Sequence, residues 1–272
     1  MYDKSKLMQN KGLVANVLNE KKALSEIDFV KINKMEDTFK DDKHIGLILE
    51  LAKGISLVEI LHSYHRVPSE IIKIVICQLV SAIEHLHVKG YVYKDLKASH
   101  VFISKNGMLT LIDLGMAEKL DEGQRSRIPA GTFHSMAPEI LDLWESSISN
   151  DGKVDESLNG YDFNADLYAL GILIHEMLIG KPPFGYLQAT TSAEERLAYF
   201  EQVRSGIDIE EFKVNLGDKL ERAFTETEEQ LIDLMQQLLK QQDVDRLGAE
   251  RDFETLKAHE LFKDYDWSDE YN

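Results

Sequence analysis

Between residues 7 and 26 the apolar positions recur with a helical period: Val14, Val17, Leu18 and Leu24 fall on one side, and Lys11, Glu20 and Lys21 largely on the other. That spacing predicts an amphipathic helix. Two apolar stretches follow, over 29–36 and 45–51, separated by the polar run Lys40-Asp41-Asp42-Lys43; together they predict a β-hairpin. Over 68–89 the helical period returns, with Ile72, Val75, Leu79, Ile83 and Leu86 on one face and Gly90 placed to end the helix. Asn106-Gly107 marks a tight hairpin turn. Residues 143–159 are rich in Ser, Asn, Asp and Glu, which predicts a mobile acidic insertion. The stretch 167–179 is apolar nearly all round, as expected of a buried central helix, and further helical patterns cover 193–205 and 226–241.

Composition narrows the class without changing these elements. The 272 residues are 43% hydrophobic and 29% charged, enough apolar content for a substantial core in one large domain or two lobes. A formal charge of -17 sets the chain against nucleic acid and anionic membrane surfaces, which would repel it. Its single cysteine, Cys77, excludes an intramolecular disulfide and favours a reducing compartment. Met1-Tyr2-Asp3-Lys4 runs into polar residues without an apolar signal-peptide core, and the best apolar run, 71–80, contains Lys73 and Gln78. These features predict a soluble cytoplasmic protein.

The candidate chemistry lies around the Asn106-Gly107 turn. Tyr93-Lys94-Asp95-Leu96-Lys97-Ala98-Ser99-His100 precedes Val101-Phe102-Ile103, and Ile112-Asp113-Leu114-Gly115 follows the hairpin. An aspartate and a lysine two residues apart in such a loop can address one hydroxyl and its incoming phosphate together. The segment resembles the H-R-D-L-K-x-x-N catalytic loop and D-F-G turn of protein kinases. Gly131-Thr132 with Ala137-Pro138-Glu139 resembles the end of the kinase activation segment, and residues 165–171 the helix beneath it. Residues 245–248 and 256–262, closing on Asp266-Trp267, resemble the ending of the cyclic-nucleotide-dependent branch of AGC kinases. This resemblance covers nearly the whole chain and implies an α+β, protein-kinase-like bilobal fold. A truncated small lobe would occupy 1–51, with one regulatory-type helix and a β-hairpin, and a mainly helical large lobe 52–272.

By the resemblance, Asp95 is the catalytic aspartate that accepts the substrate hydroxyl proton, and Lys97 is the lysine that neutralises the γ-phosphate. Asp113 is the magnesium aspartate. His100 occupies the second metal position, where the family has asparagine; imidazole suits a hard oxygen-seeking ion poorly. Glu50 and Ala52 belong to the hinge that would hold adenine, and Asn19-Glu20-Lys21-Lys22 resembles the family's N-E-K-R run, which makes Glu20 the helix glutamate. Glu139 and Arg246 match a buried ion pair. Tyr93, Lys94 and Leu114 replace the motif's His, Arg and Phe, and that arginine usually pairs with activation-segment phosphate. Counting from either end of the segment places Ile128 or Ser126 at the phosphorylated position. Of the three acids that select basic substrates, Glu176 has a counterpart, while Ser56 and Ser99 stand at the other two positions.

The chain contains no G-x-G-x-x-G, and counting back from Glu20 puts the family's strand lysine at Met1. The resemblance implies ATP and Mg2+ as cofactors, here bound weakly or not at all. The expected function is that of a pseudokinase acting as an interaction scaffold. The alternative is an active ATP-dependent serine/threonine protein kinase whose first strands lie outside this sequence. A scaffold implies a protein partner that covers the truncated small lobe, because an isolated two-stranded hairpin is marginal in water and an open sheet edge accepts a donated strand. Residues 1–51 are then expected to be mobile until bound.

Overall fold

The computed structural model describes residues 1–9, 11–187 and 191–268. At its N-terminal end β1 (Tyr2–Asp3), α1 (Lys4–Gln9) and α2 (Lys11–Glu26) lead into a hairpin of β2 (Met35–Lys40) and β3 (His44–Leu49). The sheet order is β1-β3-β2, all antiparallel, with Tyr2 opposite Ile45 and Asp3 opposite His44. The edge of β3 expected to lie open is therefore covered at two of its positions by the chain's own first residues.

The hairpin forms, but its first strand starts at Met35 rather than at residue 29. Residues 29–34 are drawn onto the large lobe instead. Phe29 stacks on His85 with ring centroids 4.5 Å apart, and Ile32 is buried. Leu111 N–H donates to the Lys31 carbonyl at 2.7 Å, and Asn33 N–H donates to the Leu111 carbonyl at 2.9 Å. A stretch that reads as a strand thus spends Phe29 and Ile32 on the helical core, while Val30 stays exposed. The α2 pattern is bent in a similar way: Val17 and Leu24 are buried as expected, whereas Leu18 is 59% exposed.

The rest of the chain is mainly helical. After β4 (Ile55–Ser56) come α3 (Leu57–Tyr64), α4 (Ser69–Val88), β5 (Tyr91–Val92), β6 (Val101–Ile103), β7 (Leu109–Leu111) and β8 (Glu118–Lys119). Then follow α5 (Pro138–Ser149), α6 (Asn164–Ile179), α7 (Ala193–Ser205), α8 (Ile209–Leu220), α9 (Glu226–Leu238) and α10 (Phe253–Lys257). Every residue of α6 is buried, and α4 and α9 pack on it. Fully buried leucine and isoleucine side chains are worth about 1.5–3 kcal/mol each, so Ile72, Ile76, Leu79, Ile83 and Leu86 anchor α4 in this core. By length and hydropathy α4 could cross a membrane, yet 67% of its most apolar window is buried inside the fold. Gln78 on α4 clamps the β6–β7 hairpin: its Nε2 donates to the Gly107 carbonyl at 2.9 Å, and its Oε1 accepts from Leu109 N–H at 2.8 Å.

Helix α8 had no counterpart among the expected elements. The acidic stretch 143–159 also differs from expectation, because its first part continues α5. Leu143 is buried there, and Trp144 and Ile148 pack against a second core that contains Tyr161, Tyr168 and Phe200. Apolar residues at helical spacing outweigh the polar composition of the stretch. Its remainder is held by Arg127, whose guanidinium donates to the carbonyls of Asp155 and Leu158.

Candidate active site

The loop that carries the candidate chemistry is fixed from below by Asp166 in the first turn of α6. Its buried carboxylate accepts the backbone N–H groups of Tyr93 and Lys94, each at 2.8 Å, with His87 Nε2 also at 2.8 Å. Three partners satisfy a carboxylate that would otherwise be costly to bury. From above, Gly131 (φ 117°) crosses so closely that a Cβ there would lie 2.5 Å from the Lys94 carbonyl oxygen. Only glycine permits both that conformation and that approach.

Gly131 delivers Thr132 to the loop. Thr132 Oγ1 donates to Asp95 Oδ1 at 2.5 Å, and Lys97 Nζ donates to Asp95 Oδ2 at 2.8 Å and to Thr132 Oγ1 at 2.8 Å. Asp95 is buried and acceptor-only, with a cation beside it. A hydroxyl presented here would meet a carboxylate able to take its proton and an ammonium able to neutralise an adjacent phosphate. The structure thus brings Asp95 and Lys97 together as expected and adds Thr132, which sequence reasoning used as a motif landmark and not as a site residue.

Asp113 lies beyond the hairpin at φ 60°, with its Oδ1 accepting Gly115 N–H at 3.0 Å. Between the two aspartates sits His100. Its Nδ1 lies 3.1 Å from the Asp95 carbonyl and 3.2 Å from Tyr93 Oη, while Tyr93 gives its own proton to the Ile112 carbonyl at 2.5 Å. This network assigns the ring proton to Nδ1, so Nε2 carries a lone pair 3.5 Å from Asp113 Oδ2. Burial, reinforced by Lys97, lowers the His100 pKa and keeps the ring neutral. Burial also raises the Tyr93 hydroxyl far above its ordinary range, with Asp95 and Asp113 adding to the effect.

Asp113 offers magnesium one carboxylate, and His100 Nε2, 3.5 Å from its Oδ2, presents a nitrogen where the family's motif has an oxygen donor, the type of ligand that magnesium favours. Among the described residues no group of three or more His, Cys, Asp or Glu side chains is placed to hold a metal ion.

Glu20 is buried on α2 and accepts the Tyr2 hydroxyl at 3.2 Å. Burial, followed by the nearby Asp113, raises its pKa, and the Tyr2 hydroxyl is pushed up to about 12 by burial and by Glu20. Glu50 and Ala52 line a cavity of 410 Å³ with Val30, Ile32, Met108 and Thr110, and neither Asp95 nor Asp113 borders that cavity. Arg246 binds Glu139 through both ends of its guanidinium, at 2.6 and 2.7 Å, and its Nη1 and Nε reach the carbonyls of Asn164 and Lys240 at 2.9 and 3.0 Å. His134 lies near Asp95 and Lys97, and burial, then Lys97, lowers its pKa to about 4. Neither His134 nor Tyr2 was marked by any sequence motif.

Comparison with known proteins identifies the family. The family model described as protein kinase domain matches residues 2–262. The cGMP-dependent protein kinase 2 of Mus musculus is 29% identical over 254 residues, which is 93% of this chain and 29% of that protein. The cAMP-dependent protein kinase catalytic subunit of Schizosaccharomyces pombe is 28% identical over 268 residues, 98% of this chain and 45% of that protein. The chain therefore spans under half the length of either relative. With the loop, the turn and the helical body in place, this chain belongs to the protein kinase domain family and resembles its cyclic-nucleotide-dependent AGC members.

Proposed function

We propose that this chain is a kinase-fold interaction protein, a pseudokinase whose phosphotransfer is weak or absent. The observation that carries this reading is the imidazole of His100 between the two aspartates, 3.6 Å from Asp95 Oδ2 and 3.5 Å from Asp113 Oδ2. Kinases of this family use ATP and Mg2+, and a neutral ring nitrogen replaces an oxygen donor at the second metal position here. The Tyr2 phenol on Glu20 supports the same reading, because a neutral group meets the helix glutamate. A charge-assisted contact to phosphate contributes about 1.5–3 kcal/mol. Loss of one or two such contacts weakens nucleotide binding by roughly ten- to ten-thousandfold.

The partner of such a scaffold is a protein that covers the small-lobe sheet. Phe39, Ile48 and Leu51 are exposed there, Leu51 by 84%, and β1 pairs with β3 only at His44 and Ile45. The net charge of -17 disfavours nucleic acid and anionic membranes as partners, and the lone Cys77 suits the cytoplasm.

A second reading, an active ATP-dependent serine/threonine kinase, is favoured by the Asp95–Lys97–Thr132 triangle. Calorimetric titration with Mg-ATP separates the two. The scaffold reading expects no saturable binding below about 1 mM. A dissociation constant in the low micromolar range, with phosphotransfer that Asp95→Asn abolishes, would establish the kinase.

A further inference from the structure

Lys94 is held at both ends. Its backbone N–H is bound to Asp166, and its ammonium donates to Glu118 Oε2 at 2.8 Å with only 5% of the side chain exposed. The same Glu118 oxygen accepts Ser126 Oγ at 2.7 Å. Ser126 is 2% exposed and exchanges backbone hydrogen bonds with Tyr161, at 2.7 and 3.0 Å. Glu118 belongs to β8, whose pairing with β5 places it opposite Val92 at the entrance to the catalytic loop. One carboxylate therefore joins the catalytic loop, the strand beside it and the activation segment.

We propose that Glu118 is a built-in anion that orders the activation segment, so that this order does not depend on phosphorylation. A buried ammonium requires an anion, and Glu118 is the carboxylate within ion-pair distance of Lys94. Lysine is a point charge satisfied by a single oxygen, unlike the planar fork of arginine, which matches a phosphate with two. Neither candidate phosphosite can supply an anion instead. The Ser126 hydroxyl is sealed and occupied, and Ile128 has no hydroxyl and contributes its carbonyl to Tyr161 Oη at 2.7 Å. The neighbouring Arg125 pairs with Asp162 and Asp243, which tacks the segment to the large lobe as well. Glu118 thus acts as a positioning residue for the loop of Asp95, whether or not phosphate is transferred.

Trypsin reads the segment directly, because Lys119, Arg125 and Arg127 fall within it. In the full chain, Glu118→Gln is expected to speed cleavage at these sites about tenfold, since cleavage follows the open population. The charge-reversed pair, Lys94→Glu with Glu118→Lys, is expected to restore resistance to within about threefold of wild type. Wild-type protein treated with phosphatase is expected to remain as resistant as untreated protein. Equal resistance of Glu118→Gln and wild type overturns the proposal, as does a charge-reversed pair no better than the single variant. Loss of wild-type resistance after phosphatase overturns it independently of how the variants fold.

Discussion

The Tyr2 hydroxyl donates to Glu20 Oε2 across 3.2 Å, tying the first strand of the small lobe to α2 beside Asp113. Burial raises the Glu20 pKa first and Asp113 raises it further, while the Tyr2 hydrogen bond opposes them. A carboxyl group with a raised folded-state pKa binds its proton more tightly folded than unfolded, so its contribution to stability falls as pH rises through that window. Glu20→Gln is expected to flatten this fall and to be at least as stable as wild type at pH 7. Tyr2→Phe, which leaves the carboxylate without its donor, should cost about 1–2 kcal/mol. Urea denaturation of both variants between pH 4 and about 8 tests the pair; a Glu20→Gln curve as steep as wild type removes Glu20 from the account.

Exchanging His100 for an oxygen donor should help the metal. His100→Asn is expected to strengthen Mg-ATP binding by at least about tenfold, or 1.4 kcal/mol, measured by calorimetry. Unchanged affinity would mean that the imidazole is not what weakens the site.

Arg246 is buried, is bound at both ends by the half-buried Glu139 and also reaches two carbonyls. Removing one partner leaves a buried charge uncompensated, so Glu139→Gln should destabilise the fold by about 3–5 kcal/mol in chemical denaturation. A loss under about 1 kcal/mol would place the pair among surface bridges of little consequence.

His175 is buried under α8, with its Nδ1–H donating to the Lys181 carbonyl at 3.0 Å, and burial lowers its pKa to about 4. The unfolded chain takes up this proton near pH 6.5, whereas the folded chain resists until about pH 4. Stability should therefore be complete above about pH 6.5 and fall between there and pH 4, by roughly 2–4 kcal/mol from this group. His175→Gln should remove that part of the acid-side slope in denaturation midpoints recorded against pH.

Hydrophobic pattern by itself determined α4, whose stripe repeating every 3.6 residues has one way to meet a core, and α6, whose apolar surface all round has to be buried all round. The spacing Asp95-x-Lys97 and the later Asp113 were likewise legible, since one loop and one turn place them. Local pattern failed where distant partners decide. Residues 29–34 look like a strand but pair with Leu111, and the Ser-rich stretch after Leu143 begins as helix because Trp144 and Ile148 find a core. The partners that finish the site were settled only by tertiary structure. Tyr2 meets Glu20 across 18 positions, Lys94 meets Glu118 across 24, Thr132 meets Asp95 across 37, and Asp166 meets the loop backbone across 72. No periodicity encodes such pairs, because each exists only after the packing of α4, α6 and the sheets has closed the intervening chain and removed the water that would otherwise bind these groups.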